Sequence, residues 1–266
     1  MKFIRLATIA ALSTTILAGG AASVFADEMR EVTTEGQIQF TADEDGDLEV
    51  IPPVPDPDVI IPPIIDPVTG PLSIVQAPTM NFGTQVISNQ DQTYNMVAET
   101  AELANPEEGG PTDVPYISFA QVQDVRGTNA GWDLKVSLSD FEAPEAQNKI
   151  LTGAQITFAN AQLNYEGSNT DNEPTVHQAG LTLLPNGAAR SVMTAAQGQG
   201  AGASSVIWGD QADLTAQFEA EDFNPETDVV ENNAIQLSIP GSTAKDATTY
   251  TSTLTWELNL TPGDEL

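Results

Sequence analysis

The chain has 266 residues, with 38 Asp and Glu against 8 Lys and Arg, a formal net charge of −30 and no cysteine. Such an excess of negative charge repels nucleic acid and anionic lipid. The lack of thiols excludes disulfides and thiolate-based metal sites, so stability must come from a hydrophobic core, for which the chain is long enough.

The first residues read as an export signal. Lys2 and Arg5 supply a basic end, residues 6–17 an apolar stretch, and Val24-Phe25-Ala26 a small-residue cleavage site. Residues 1–26 are therefore expected to be a signal peptide removed after Ala26. The apolar run is short and interrupted by Ser13, Thr14 and Thr15, which argues against a membrane span, so the mature chain is expected to be secreted.

Residues 27–70 are expected to form an acidic and proline-rich N-terminal segment and linker. An acidic cluster at 41–49 precedes a stretch in which seven prolines lie before Val68, a density that favours extended polyproline II over helix or central strand. Asp43, Asp45 and Asp47 alternate around Gly46, but the glycine position and the missing closing Glu do not fit a calcium loop. A solvated spacer is the simpler reading.

From residue 71 to 266 the texture changes to short apolar alternations separated by Gly, Pro, Asn and Asp. Candidate strands fall at 72–76, 94–99, 116–125, 132–139, 154–164, 181–184, 205–208, 214–219, 234–239 and 250–260. No sustained helical stripe interrupts them. The expected fold is all-β: a β-sandwich or Greek-key-like single domain preceded by a Pro/Asp-rich extended linker.

Two of these strands share a pattern. Gly131-Trp132-Asp133-Leu134-Lys135-Val136-Ser137-Leu138 and Thr255-Trp256-Glu257-Leu258-Asn259-Leu260 each place apolar residues at every second position. Strand geometry puts Trp132, Leu134, Val136 and Leu138 on one face, with Asp133, Lys135 and Ser137 on the other. Leu254, Trp256, Leu258 and Leu260 repeat the arrangement, with Thr255, Glu257 and Asn259 opposite. This pair of motifs, the approach Val125-Arg126-Gly127-Thr128-Asn129-Ala130-Gly131, the entry segment Thr69-Gly70-Pro71-Leu72-Ser73-Ile74 with Phe82-Gly83, the Tyr250 lead and the trailing Pro262 together resemble the WxL-domain surface proteins of low-GC Gram-positive bacteria.

Read without the resemblance, Trp132 and Trp256 could serve as sugar-stacking platforms or as core, and strict alternation with Leu and Val favours core. The outward residues Asp133, Lys135, Glu257 and Asn259 then become candidate contacts for a ligand or partner, against an ordinary solvated surface. Arg126 stands out in an acid-rich chain; a structural salt bridge is favoured over a clamp on a ligand carboxylate, and Gly127 suggests a turn or bulge beside it. The glycine-rich run 197–203 lacks the Lys-Ser/Thr of a phosphate loop and reads as a flexible connection, with close approach to a glycan as a secondary idea. His177, the single histidine, has no identifiable relay partner. Abundant carboxylates leave accidental hydrolase-like pairs open, but nothing pins one, and the chain is read as a non-enzyme.

The resemblance implies a non-covalent peptidoglycan-binding surface protein, held at the cell wall as a scaffold member of a multi-protein complex. A membrane-anchored protein with a WxL-interacting region, other WxL proteins and a host ligand are its implied partners. No cofactor is implied, beyond divalent cations that could bridge two anionic partners. Leu184-Pro185-Asn186-Gly187 lies mid-domain and is not a sortase signal, which agrees with non-covalent display. The alternatives are a protein-interaction module, with wall association only indirect, and a glycan hydrolase.

Overall fold

The computed structural model describes residues 35–42, 49–63, 70–177 and 180–260. The signal segment 1–26, the alternating Asp43, Asp45 and Asp47, Thr69 and Pro262 lie outside the described residues. The chain divides into two units, Met1–Gln39 and Phe40–Leu266. In the first, the described residues 35–39 carry no helix or strand.

In the second unit the elements run β1 Val59–Ile60, β2 Leu72–Gln76, β3 Gln92–Val97, β4 Glu99–Leu103, β5 Asp113–Tyr116, β6 Ser118–Asp124, β7 Trp132–Leu138, β8 Gln155–Phe158, β9 Gln162–Tyr165, β10 Thr175–Val176, β11 Leu181–Leu183, β12 Arg190–Ala195, β13 Gly202–Trp208, α1 Gln211–Phe218, β14 Glu231–Ile239 and β15 Leu254–Asn259. The fold is all-β apart from α1 and a short 3-10 turn at Thr170–Asn172. Its strands do not resolve into the two facing layers of a sandwich. They form four small antiparallel sheets, in the orders β1-β4-β5, β10-β12-β7-β15, β11-β8-β14-β3 and β2-β6-β13-β9.

The β2-β6-β13-β9 sheet is covered on both faces, which explains why β6 is buried almost without interruption instead of alternating. Ala120, Val122, Val206 and Trp208 point into the main core, with Trp132, Leu134, Ile156, Phe158 and Ile235. Phe119 and Ile207, one residue out of phase, point into a second core with Val59, Ala101, Tyr116 and Leu214. Two positions expected to lie in one long strand each mark a change of sheet. Between β3 and β4 the chain crosses at Ala98, whose N–H donates to the Val230 carbonyl at 2.8 Å. Between β5 and β6 it crosses at Ile117, whose N–H donates to Gln211 Oε1 at 3.1 Å. Likewise the expected strand 154–164 is two strands, parted at Asn160 with φ 52°.

The second core corrects the reading of the proline-rich stretch for residues 49–63. Val50 and Val59 are buried, and β1 pairs with β4. Gln121, on the second-core face of β6, accepts from Ile51 N–H at 3.0 Å and donates to the Ile51 carbonyl at 2.7 Å, as a neighbouring strand would. Tyr116 Oη treats Val54 the same way, at 3.0 and 2.7 Å, and Asn164 Nδ2 donates to the Pro53 carbonyl. Three side chains thus satisfy a backbone whose prolines cannot join a ladder. This piece is a cover on the fold and not a free spacer.

The expected strand 214–219 is helical. Asp210 caps α1 by accepting from Ala212 N–H at 2.9 Å, and Leu214 and Phe218, four residues apart, fall on one helical face toward the second core. Apolar residues at 214, 216 and 218 fit a period of two, but the cap and the Gln- and Ala-rich interior favour the helix.

Two substitutions test this packing. Ser204 is fully buried, and its hydroxyl is the one buried side-chain polar atom without a hydrogen bond among the described residues. Ser204→Ala should leave stability unchanged or raise it by up to about 1 kcal/mol in urea unfolding, and a loss of that size would contradict the orphan hydroxyl. Gln121→Leu keeps side-chain volume but abandons both Ile51 groups; a loss of about 2 kcal/mol is expected, with faster proteolysis near residue 51.

Candidate functional site

The two motif strands are neighbours. β7 and β15 pair antiparallel with Leu254 opposite Leu138, Trp256 opposite Val136 and Leu258 opposite Leu134. Directly opposed residues share a face, so Leu254, Trp256 and Leu258 pack against the main core beside the buried Trp132, Leu134, Val136 and Leu138, whereas Leu260, expected to continue the row, is exposed beyond the end of β15. The polar sets share the outer face, where Glu257 lies opposite Lys135 and Asn259 opposite Asp133. β12, on the other side of β7, adds Ser191 opposite Lys135 and Thr194 opposite Asp133. The outer face of one sheet therefore carries a continuous field of carboxylate, amide, ammonium and hydroxyl groups.

Within that field Asp133 is already engaged. It accepts from Ser191 Oγ at 3.0 Å and Thr194 Oγ1 at 3.1 Å, and Lys135 Nζ lies 3.3 Å away. This tie runs across β7 and β12 and fixes the orientation of the Asp133 carboxylate. Glu257 and Asn259, on the edge strand, are exposed. The site residues are thus of two kinds: an ordered Asp133–Lys135 centre and a more accessible edge.

The two tryptophans differ. Trp132 is fully buried, with its indole Nε1 donating to the Gly200 carbonyl at 3.1 Å, so it offers no face to a sugar. Trp256 is half-buried at the sheet edge, against Trp208 with ring centroids 6.3 Å apart. Gly200 has φ +75°, and a Cβ there would stand 2.6 Å from Trp132 Nε1. The glycine-rich run, expected to be a flexible connection, is here packed against the motif tryptophan. Gly198 N–H also donates to the Asn129 carbonyl at 2.8 Å, so this loop is sewn to the approach segment of the first motif.

Arg126 belongs to the same clamp. Its Nε and one terminal nitrogen hold the buried Asp124 at 2.9 and 2.7 Å, and that nitrogen also donates to the Gly131 carbonyl at 2.9 Å. It closes the loop 125–131 on itself, away from the outer face of the sheet. Tyr250 plays the matching part before β15. Its hydroxyl donates to the Asn148 carbonyl at 2.6 Å and accepts from Asp246 N–H at 3.1 Å. Asp246 in turn accepts from the amides of Gln147 and Asn148 and from the Asn148 side chain, hydrogen bonds that lower its pKa below the usual value. The strand that completes the site is thereby delivered in register.

His177 lies in an open cleft with Glu173, Pro174 and Gln162. Sequence reasoning missed β12, and with it Ser191 and Thr194. The register shift between Ser191 and Met193 buries Val192 and Met193 in succession, and this broke the alternation that would have announced a strand.

The chain matches the family model described as WxL domain, surface cell wall-binding, over residues 27–262. That span takes in the acidic and proline-rich stretch as well as both motif strands. No curated protein and no solved structure matches it. With both Trp-x-Leu strands seated side by side in one sheet and the family match running through nearly the whole chain, the protein belongs to the WxL-domain family of cell wall-binding surface domains.

Proposed function

We propose that this chain is a secreted protein held non-covalently on peptidoglycan, and that the outer face of the β10-β12-β7-β15 sheet is its contact surface. The observation that carries this reading is the direct pairing of the two motif strands, which gathers Asp133, Lys135, Glu257 and Asn259 with Ser191 and Thr194 on one face. Glycan hydroxyls and peptide amides are recognised by such mixed donors and acceptors, and a repeating polymer lets many weak contacts add. Bulk attraction contributes little, because a chain of net charge −30 is repelled by anionic wall polymers unless divalent cations bridge the two. The chain acts here as a scaffold, without catalysis, alongside other WxL proteins and a host ligand.

A second reading has its own support. β15 is the outermost strand of its sheet, so one of its edges is unpaired among the described residues. Such an edge accepts a further strand. A membrane-anchored protein with a WxL-interacting region would then be the direct partner, and wall association would be indirect.

Sedimentation of the purified chain with cleaned peptidoglycan sacculi separates the readings. Co-sedimentation without release of soluble sugar is expected; its absence would favour the partner-binding reading, and sugar release would reveal a hydrolase. In the same assay Asp133→Ala combined with Glu257→Ala should weaken binding about tenfold while circular dichroism stays native, a loss on the order of 1.4 kcal/mol. Gly200→Ala should instead cost about 2 kcal/mol or more of stability by pressing on Trp132, and lose binding only through unfolding.

A further inference from the structure

Between the β1-β4-β5 sheet and the β2-β6 end of the neighbouring four-stranded sheet lies a cleft of about 270 Å³. Whole small-molecule ligands typically occupy about 300–1,000 Å³, so this one has room for a single side chain and not for an extended glycan. Its walls are mixed, with Ile60, Ile61, Phe119 and the ring of Tyr116 giving the apolar part and Gln76 and Thr100 among the polar part. One wall carries Glu99, half-buried, which accepts from Thr79 N–H at 2.8 Å. Burial pushes the Glu99 carboxyl above its usual pKa, only partly offset by the Thr79 amide and the Ser118 hydroxyl. Among the described residues no Lys or Arg forms an ion pair with it. Among the described residues the other charged groups facing the cleft are Glu102 of β4 and Asp113 of β5, both acidic and exposed; Tyr116 is the remaining titratable group, and β1, β2 and β6 contribute none.

A cleft whose lining combines an apolar patch, Glu99 and two further acids is complementary to a cation on an aliphatic stem. We propose that this cleft binds the side chain of a lysine-type residue in a wall stem peptide, its methylenes against Ile60, Ile61 and Phe119 and its ammonium on Glu99. The proposal rests on the peptidoglycan-binding reading for the source of the peptide, and adds a peptide-recognising site separate from the outer face of the motif sheet. Capture of the ammonium would relieve the cost of holding Glu99 ionised where water is scarce.

The test uses the purified chain and Nα-acetyl-lysine N-methylamide, with the uncharged norleucine analogue beside it, followed by amide NMR shifts. Expected is saturable binding of the lysine probe with shifts confined to the cleft-lining residues of β1, β2, β4, β5 and β6 and the adjoining Ile61 and Ile117, at least tenfold weaker for norleucine and for Glu99→Gln. Binding should also fade as acidification protonates Glu99, at a pH above the ordinary carboxylate range. Glu99→Gln should unfold at the same temperature as the parent, or higher, at pH 7, because the raised pKa makes the ionised Glu99 a destabilising group there. That difference should vanish below about pH 4, where the carboxyl is neutral folded and unfolded alike. Equal affinity for the two probes, or no shift with either, overturns the proposal whatever the variant does. Sacculus sedimentation alongside distinguishes the failures: sacculi bound with the lysine probe ignored would reject the cleft alone. The probe bound with sacculi ignored would reject the wall as its source.

Discussion

The burial of one indole organises this molecule. Trp132 can sit at zero exposure only because a carbonyl meets its N–H and because the residue offering that carbonyl has no side chain. From that contact the loop after β12 is tied to the loop before β7, Arg126 locks the latter onto Asp124, and β7 is left rigid between two partners. The pattern that names the family is therefore a statement about packing. Its consequence appears on the opposite side of the strand, where a fixed inner face guarantees a fixed outer one.

A second constraint is the double burial of the β2-β6-β13-β9 sheet. A sheet with apolar residues on both faces needs a second cover, and here it is assembled from α1, a three-stranded sheet and the proline-rich piece at 49–63. Proline suits that role because its backbone needs few partners, and those it does need come from Gln121, Tyr116 and Asn164. Among the described residues the acidic side chains on this layer form no ion pair, and that is how a cleft with an under-solvated Glu99 arises.

Legibility in the sequence followed physical periodicity. β7 and β15 were plain because each has one wet and one dry face, the situation in which alternation is cleanest. β6 was found as a strand but not as a doubly covered one, since Gln121 and Gln123 imitate the polar half of an alternating pattern. β12 was hidden by its bulge, and α1 passed for a strand because Leu214, Ala216 and Phe218 satisfy two periods at once. For residues 49–63, composition described the backbone correctly as extended and proline-rich, but carried no information on what would pack against it. The outer-face residues were named from alternation alone; that they would meet across a shared ladder depended on a long-range pairing invisible to local pattern.

That pairing joins segments more than a hundred residues apart, with the later one ending close to the last described residue. Until β15 arrives, Leu134 and Val136 have an open flank and the sheet lacks its final row of polar groups. Assembly thus waits on a late pairing: the inner layers can close early, yet β7 gains its second neighbour only once β15 has been added. Removal of β15 would leave a partly packed body whose outer sheet face lacks Glu257 and Asn259, which makes this one strand a checkpoint for the integrity of the whole sheet.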